Sequence, residues 1–161
     1  MGLREAMGTG LRKWVTFSGR ASRSEYWWFY LGGTLILYGL MLVVAVPLIL
    51  LSANTAPFVI WPLLIVFTVM SVWINIAFIS ALVRRLHDRN LSGWWVLAAF
   101  GAAIVVSAIG ASIPSLSFAG NVILVLMALG FIVVTLLRGT HGDNRYGPDP
   151  LMIERPEQIF E

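Results

Sequence analysis

The side chains that could do chemistry in this sequence fall into three short polar blocks separated by long apolar stretches. Ten of them concern us: Arg20, Arg23, Glu25, Arg84, Arg85, His87, Asp88, Asp143, Asn144 and Arg145. Arginine binds phosphates and carboxylates through paired hydrogen bonds, so these blocks could recognise a phosphate ligand or an anionic lipid head group. The same arginines could instead bind the carbonyls at helix ends and pair with nearby carboxylates. Both interpretations are open, and the structural one is favoured.

Metal binding and catalysis have weaker support in the sequence. Two histidines, His87 and His141, each lie close to a carboxylate, at Asp88 and Asp143. No pair of these groups has the i, i+4 spacing that brings two ligands to one helix face, and the surrounding arginines oppose cation binding. The chain has no cysteine, and the motifs of zinc proteases, phosphate-binding loops and serine hydrolases are missing. The sequence therefore predicts no metal and no cofactor. A protein without enzymatic activity is favoured, and an enzyme acting on lipid phosphates is the open alternative, because Arg85, His87 and Asp88 are suitable residue types.

The elements that position the blocks follow from the placement of charge. Of 161 residues, 58% are hydrophobic and 12% are charged, against about 25% charged in ordinary soluble domains. No charged residue occurs between Glu25 and Arg84, or between Arg89 and Arg138. A membrane-spanning helix needs about 20 apolar residues, so each charge-free stretch can supply two spans and a turn. The sequence predicts an all-α integral membrane protein with four crossings.

We expect a single membrane domain of residues 1–161, built as a four-helix bundle of two antiparallel hairpins. Its predicted spans are about 24–51, 58–83, 93–113 and 119–137, preceded by a cytoplasmic or interfacial segment 1–23 and followed by a cytoplasmic tail 138–161. Apolar positions in the first segment favour an amphipathic helix at the membrane interface.

Several residues have the character of helix ends and turns. Ser22 and Glu25 have the spacing of a capping box at the first span. An uncharged turn at 52–57 separates the first two spans. Asn90 or Ser92 can cap the third span, and Gly139 can end the fourth.

The orientation follows from arginine and lysine, which are concentrated before the first span, between the second and third, and after the fourth. By the positive-inside rule, both termini and the central loop face the cytoplasm. This topology brings the ten side chains named above to one face, where we call them the polar layer. The basic residues flank the spans and form no long basic stripe, so nucleic-acid binding is not expected. The expected partners are the lipid bilayer, with anionic lipids, and a protein partner or a second copy of the chain.

Asn75 is an unusual polar residue inside a predicted span. It precedes Arg84 by nine residues, or about 13 Å at roughly 1.5 Å of rise per residue. Because an unpaired amide is costly at that depth, we expect it to face the bundle interior and to bond another helix. Ligand binding is the alternative role. The central parts of the spans contain no ionisable residue, which disfavours an ion-coupled carrier.

Three segments together resemble a known family. They are FSGRASRSEYW at 17–27, RRLHD at 84–88 followed by SGWW at 92–95, and GDNRYGPDP at 142–150. In this order they are similar to the bacterial inner-membrane family named domain of unknown function 805, the YhaH-like proteins, from about residue 13 to 150. The resemblance implies a small multispanning membrane protein without an assigned activity. We therefore expect a structural or interaction role, with two alternatives: a transporter or channel component, or a binder of anionic head groups or phosphate ligands.

Overall fold

The computed structural model describes residues 1–50 and 56–154, and the regular elements in these ranges are helical. They are α1 Leu3–Arg12, α2 Arg23–Leu50, α3 Ala56–Asp88, α4 Trp94–Ser112, a 3₁₀ turn Pro114–Leu116, α5 Ser117–Leu136 and α6 Pro150–Glu154. The all-α class predicted from the sequence is confirmed. The first predicted span ended at 51, and most of the predicted turn at 52–57 also lies outside the described residues.

Four of the helices are long and apolar enough to cross a membrane. These candidate spans are Arg23–Leu50, Phe58–Asp88, Trp94–Ser112 and Pro114–Leu136. At most 17% of the residues in their most apolar windows are buried inside the protein. Such apolar yet uncovered helices suit a hydrocarbon solvent, in which the helix satisfies its own backbone groups. The prediction of four spanning helices is confirmed.

The helix α3 continues beyond the predicted limit of 83 and ends at Asp88. Its end is a Schellman motif: Asn90 N–H donates to the His87 carbonyl, and Leu91 N–H donates to the Leu86 carbonyl, each at 2.9 Å. Asn90 has a φ of 59°, the left-handed conformation that this motif requires and that asparagine tolerates. Asn90 therefore ends α3, and the prediction that it caps the next helix was wrong.

Ser92, the other predicted cap of α4, makes one hydrogen bond to the start of this helix. Ser92 Oγ accepts a hydrogen bond of 3.3 Å from the Trp94 amide, the first amide of α4. At the end of α5, the helix passes into an extended residue, Leu137. The prediction of Gly139 as the cap of this helix was wrong, because the C-cap position is Leu137. Gly139 instead lies against Asp88.

The described chain forms two compact units. The first comprises Met1–Thr16 and Ser24–Ala81, and thus holds α1, most of α2 and most of α3. Its α2 and α3 pack antiparallel: Phe29 contacts Phe78 edge to face with ring centroids 5.4 Å apart, while Gly33 lies against Phe78 and Ile74. Ser80 is fully buried, and its Oγ lies 2.8 Å from each of the carbonyl oxygens of Lys13 and Thr16. The two carbonyls share the hydroxyl proton of Ser80.

The helix α1 packs on α2 within this unit. Ala6 and Gly10 are buried, and a Cβ at Gly10 would overlap the Phe29 ring. Met7 lies against Gly32 in the same way. The position of α1 at the membrane interface stays a prediction.

The second unit comprises Phe17–Arg23 and the chain from Leu82 onward. Its α4 and α5 form an antiparallel hairpin about the turn at Pro114. Near that turn the helices approach closely, since a Cβ at Gly120 would lie 3.1 Å from Val106 and one at Gly110 would lie 3.3 Å from Ser117. This unit also holds the last part of α3 and the residues that follow α5.

Candidate functional site

Most of the polar layer meets in the second unit around one carboxylate, Asp88. Arg85 and Asp88 stand three residues apart on α3, which places both on one helix face, and they form an ion pair. Arg20 reaches the other carboxylate oxygen of Asp88 through Nε and Nη2, both at 2.9 Å. The three side chains are at most 4% exposed. We call Arg20, Arg85 and Asp88 the arginine–aspartate cluster.

The remaining donors of Arg85 bind backbone carbonyls. Nε donates to Thr135 O at 3.0 Å, Nη1 to Ala21 O at 3.3 Å, and Nη2 to Leu137 O. Thr135 and Leu137 lie at the end of α5, where helical carbonyls have no partner within the helix. Arg23 donates to the carbonyl between them, that of Leu136, at 3.5 Å. The end of α5 is therefore capped by arginines, which the helix dipole also favours.

The remaining donors of Arg20 bind the segment that follows α5. Nη1 donates to Gly142 O at 2.6 Å and to Gly147 O at 3.3 Å, while Nη2 donates to Thr140 O at 2.6 Å. We call residues 139–149 the tail loop. Its glycines Gly142 and Gly147 have φ values of 70° and 132°, which side chains disfavour. A single buried guanidinium thus gathers three carbonyls of a loop that has little apolar core of its own.

The tail loop in turn binds the end of α3. The Thr140 amide donates to Asp88 O at 2.8 Å, and Asn144 Nδ2 donates to His87 O at 3.0 Å. The backbones of Asn144 and Gly147 also bond each other in both directions. A Cβ at Gly139 would overlap the Asp88 carboxylate, so only glycine permits this close approach. The tail loop and the last turn of α3 therefore satisfy each other's backbone groups.

His87 lies beneath an aromatic ring of the tail loop. Its imidazole stacks on Tyr146 with centroids 3.8 Å apart and an interplanar angle of 4°. Its Nδ1 lies 3.1 Å from Gly19 O, and because a carbonyl oxygen only accepts, Nδ1 is the donor. Above Tyr146, the Arg145 guanidinium lies 4.8 Å from the ring centroid, and it also bonds Asn90 O. The imidazole is covered and oriented by these contacts.

The rest of the polar layer divides between the two units. Arg84 is buried one residue before Arg85. Asp143 is exposed in the tail loop. Glu25 is buried in the first turn of α2 and belongs to the first unit.

Asn75 lies differently from its prediction. Its side chain is on an exposed face of α3, where Nδ2 donates to Ser71 O, one turn earlier, at 2.8 Å. The amide satisfies its donor within its own helix, so the predicted interior position and interhelical bond were wrong.

Sequence reasoning missed the backbone acceptors and several tail-loop residues of this site. Asp149 is 5% exposed, and its carboxylate accepts from the amides of Gly142 at 3.2 Å and Leu151 at 3.0 Å. An aspartate directly before proline is a common helix start, so Asp149 before Pro150 was a usable signal for α6. For Thr140 and Tyr146 no comparable signal exists in their spacing.

The chemistry open to the arginine–aspartate cluster is limited by its own contacts. Each nitrogen of both guanidinium groups has a protein acceptor. A phosphate would have to displace these acceptors and leave buried carbonyls unpaired, which costs about 1–3 kcal/mol for each group. The geometry is that of a polar core that joins three segments of chain.

Most of this chain, including the arginine–aspartate cluster, matches known proteins. The family described as "Protein of unknown function (DUF805)" matches residues 14–148. The chain belongs to the DUF805 family. This DUF805 chain is 31% identical to inner membrane protein YhaI of Escherichia coli (strain K12) over 145 residues, which are 87% of this chain and 90% of that protein. It is 29% identical to inner membrane protein YhaH of the same strain over 140 residues, with 87% and 91% covered.

A third relative is the uncharacterized protein YiiR of the same strain, 31% identical over 153 residues, with 86% of this chain and 89% of that protein covered. No solved structure matches. With the four apolar helices, these relatives support a bacterial inner membrane protein. The arginine–aspartate cluster lies wholly within the matched residues. The resemblance inferred from the three segments is therefore confirmed.

Proposed function

We propose that this DUF805 chain is a non-enzymatic inner-membrane protein with a structural or interaction role. Residues 1–161 act as one membrane domain, and the arginine–aspartate cluster fastens the tail loop at the cytoplasmic face. The observation that carries this proposal is that every guanidinium nitrogen of Arg20 and Arg85 donates to Asp88 or to a backbone carbonyl. Arginines kept for a ligand would leave donors directed at an open space.

The fastened loop offers a surface for an interaction partner. Asp143 and Arg145 are exposed while their neighbours Asn144 and Tyr146 are held against α3. Charged side chains on a fixed backbone lose less conformational entropy on binding than those on a free tail. A cytoplasmic protein, or a second copy of this chain, could bind there.

The two alternatives have less support. Head-group binding at these arginines requires open donors. A transporter or channel component requires a hydrated path, whereas the cavity between α4 and α5 is lined by side chains that are almost all apolar. We therefore favour the structural role.

Limited proteolysis in sealed membrane vesicles tests the proposal. Trypsin cleaves after Arg145, and we expect cleavage in inverted vesicles, which expose the cytoplasmic face, but not in right-side-out vesicles. Arg20→Gln should accelerate cleavage at least about tenfold, because hydrogen bonds to a charged group contribute about 1.5–3 kcal/mol to holding the loop closed.

Arg12→Gln is the matched control. Arg12 is exposed on α1 and bonds Gly8 O in its own helix, so its loss should leave tail cleavage unchanged. Cleavage of Arg20→Gln at the rate of the unsubstituted protein would contradict the fastening role. Cleavage confined to right-side-out vesicles would contradict the orientation.

A further inference from the structure

An apolar cavity of about 580 Å³ lies between α4 and α5 at the end away from their connecting turn. Small residues on both helices produce it: Ala98, Ala99 and Ala102 on α4, and Gly130 on α5. Close to the turn the two helices touch through Gly110 and Gly120, so the space widens from the turn toward the polar end. Water does not fill an apolar space of this kind.

Two arginines lie close to residues that line the wide end of the cavity. Leu86 and Leu91, the two residues paired in the Schellman motif, line it, and Arg89 lies between them in the chain. Arg89 donates to the carbonyl of Arg138, just beyond the end of α5, and Val134 in the last turn of α5 lines the cavity.

The charges of these two arginines are not neutralised nearby. The adjacent carboxylate, Asp88, is already bound by Arg20 and Arg85. Among the described residues, neither Arg89 nor Arg138 forms an ion pair. Two arginines without an ion-pair partner in the described part of the chain therefore lie near residues that line the apolar cavity.

We propose that this cavity binds an anionic lipid of the bilayer, with an acyl chain between α4 and α5 and the phosphate at Arg89 and Arg138. Basic pockets between membrane helices are suited to anionic head groups. A helix with its side chains is about 10 Å wide and cannot enter a space whose walls converge to contact, whereas a single acyl chain can. The site uses none of the donors of the arginine–aspartate cluster, so it does not rest on the structural role proposed above.

Native mass spectrometry in mild detergent tests the site directly. The probes are phosphatidylglycerol and phosphatidylcholine with the same oleoyl chains, added in equal amounts. We expect the unsubstituted protein to retain one phosphatidylglycerol in preference to phosphatidylcholine. Arg89→Gln should weaken phosphatidylglycerol retention about fivefold. Arg12→Gln, which removes an exposed arginine of α1, should leave it unchanged.

A cavity-filling substitution tests the acyl-chain position. Gly130→Leu places a side chain in the cavity, and a Cβ at Gly130 meets no atom within 4 Å, so the fold should tolerate it. Retention of phosphatidylglycerol should fall at least about tenfold, the effect of losing a few buried methylene groups. Gly101→Leu is the matched control, because Gly101 also has open space around it but lies outside the cavity lining.

Three results would overturn the proposal. They are unchanged retention in Gly130→Leu, equal losses in Gly130→Leu and Gly101→Leu, and a preference for phosphatidylglycerol that survives Arg89→Gln. Thermal unfolding in lipid-free detergent checks that each variant is folded. If Gly130→Leu does not fold, Ala102→Leu fills the same cavity from α4 and decides the question.

Discussion

Replacing Arg85 with alanine gives the sharpest test of the arginine–aspartate cluster as a structural core. The guanidinium is fully buried and binds Asp88 together with the carbonyls of Ala21, Thr135 and Leu137. Removing one partner of a buried ion pair costs about 3–5 kcal/mol. Asp88 keeps its second partner, Arg20, so we expect a loss near the lower end, about 3 kcal/mol.

This loss should be visible as a shift in melting temperature. A chain of this size loses about 2–4 °C for each kcal/mol, which gives an expected fall of roughly 6–12 °C for Arg85→Ala in detergent. The seven tryptophans provide an intrinsic fluorescence signal for the unfolding curve. No added ligand is needed, because the contacts of Arg85 are all within the chain.

Two variants serve as controls. Arg12→Ala also removes one positive charge, from an exposed arginine of α1, and should change stability by no more than about 0.5 kcal/mol. Arg85→Lys keeps the charge but loses the planar fork that reaches several acceptors at once, so its melting temperature should fall between the other two. An Arg85→Ala protein that melts within 2 °C of the unsubstituted protein, an effect below about 1 kcal/mol, would refute the structural reasoning.

Two further substitutions test the ends of the same structure by thermal unfolding. Gly139→Ala should destabilise the protein by about 1–3 kcal/mol, because the added methyl group overlaps the Asp88 carboxylate. The control Gly8→Ala in α1, where a Cβ has open space, should stabilise the protein by about 0.5–1 kcal/mol. Equal effects of the two substitutions would contradict the close approach of Gly139 to Asp88. Asn90→Val should destabilise the protein by about 1–2 kcal/mol, since a φ of 59° is unfavourable for a β-branched residue. Asn90→Gly should be tolerated. A valine variant of unchanged stability would argue against the Schellman motif at the end of α3.

The four spanning helices could be predicted because the constraint behind them is strong. In hydrocarbon, a spanning segment must satisfy its own backbone and carry little charge, so length and composition are enough to locate it. The limits of helices are harder to predict, since they depend on local partners. Thus α3 continues through Arg85, because the charge of this arginine has a buried partner in Asp88 instead of requiring water.

The membership of the polar layer was also largely predictable, but its bonding was not. The predicted topology places Arg20, Arg85 and Asp88 on one face but specifies no distance between them. Their acceptors are mostly backbone carbonyls of Thr140, Gly142 and the end of α5, and a carbonyl is present at every residue. No sequence pattern distinguishes the carbonyl that will receive an arginine from its neighbours.

The error at Asn75 has a similar physical origin. Its depth in a span correctly suggested that the amide needs a partner, yet depth does not specify where that partner lies. A serine carbonyl one turn earlier on α3 was within reach, and a bond within one helix needs no second helix to be positioned. For a single polar residue in an apolar span, the local solution therefore competes with the interhelical one.

The few polar side chains of this protein satisfy the carbonyl groups at the ends of its apolar helices. The last carbonyls of α3 and α5 emerge where apolar spans stop, and each needs a donor that the helix cannot provide. Arg85 supplies donors to the end of α5, while Thr140 and Asn144 supply them to the end of α3. Each end is thus satisfied by a distant segment of the chain, and Arg20 holds the tail loop in the position that makes this possible. Loss of the loop would leave the His87 and Asp88 carbonyls without these donors, so the tail loop is an integral part of the second unit.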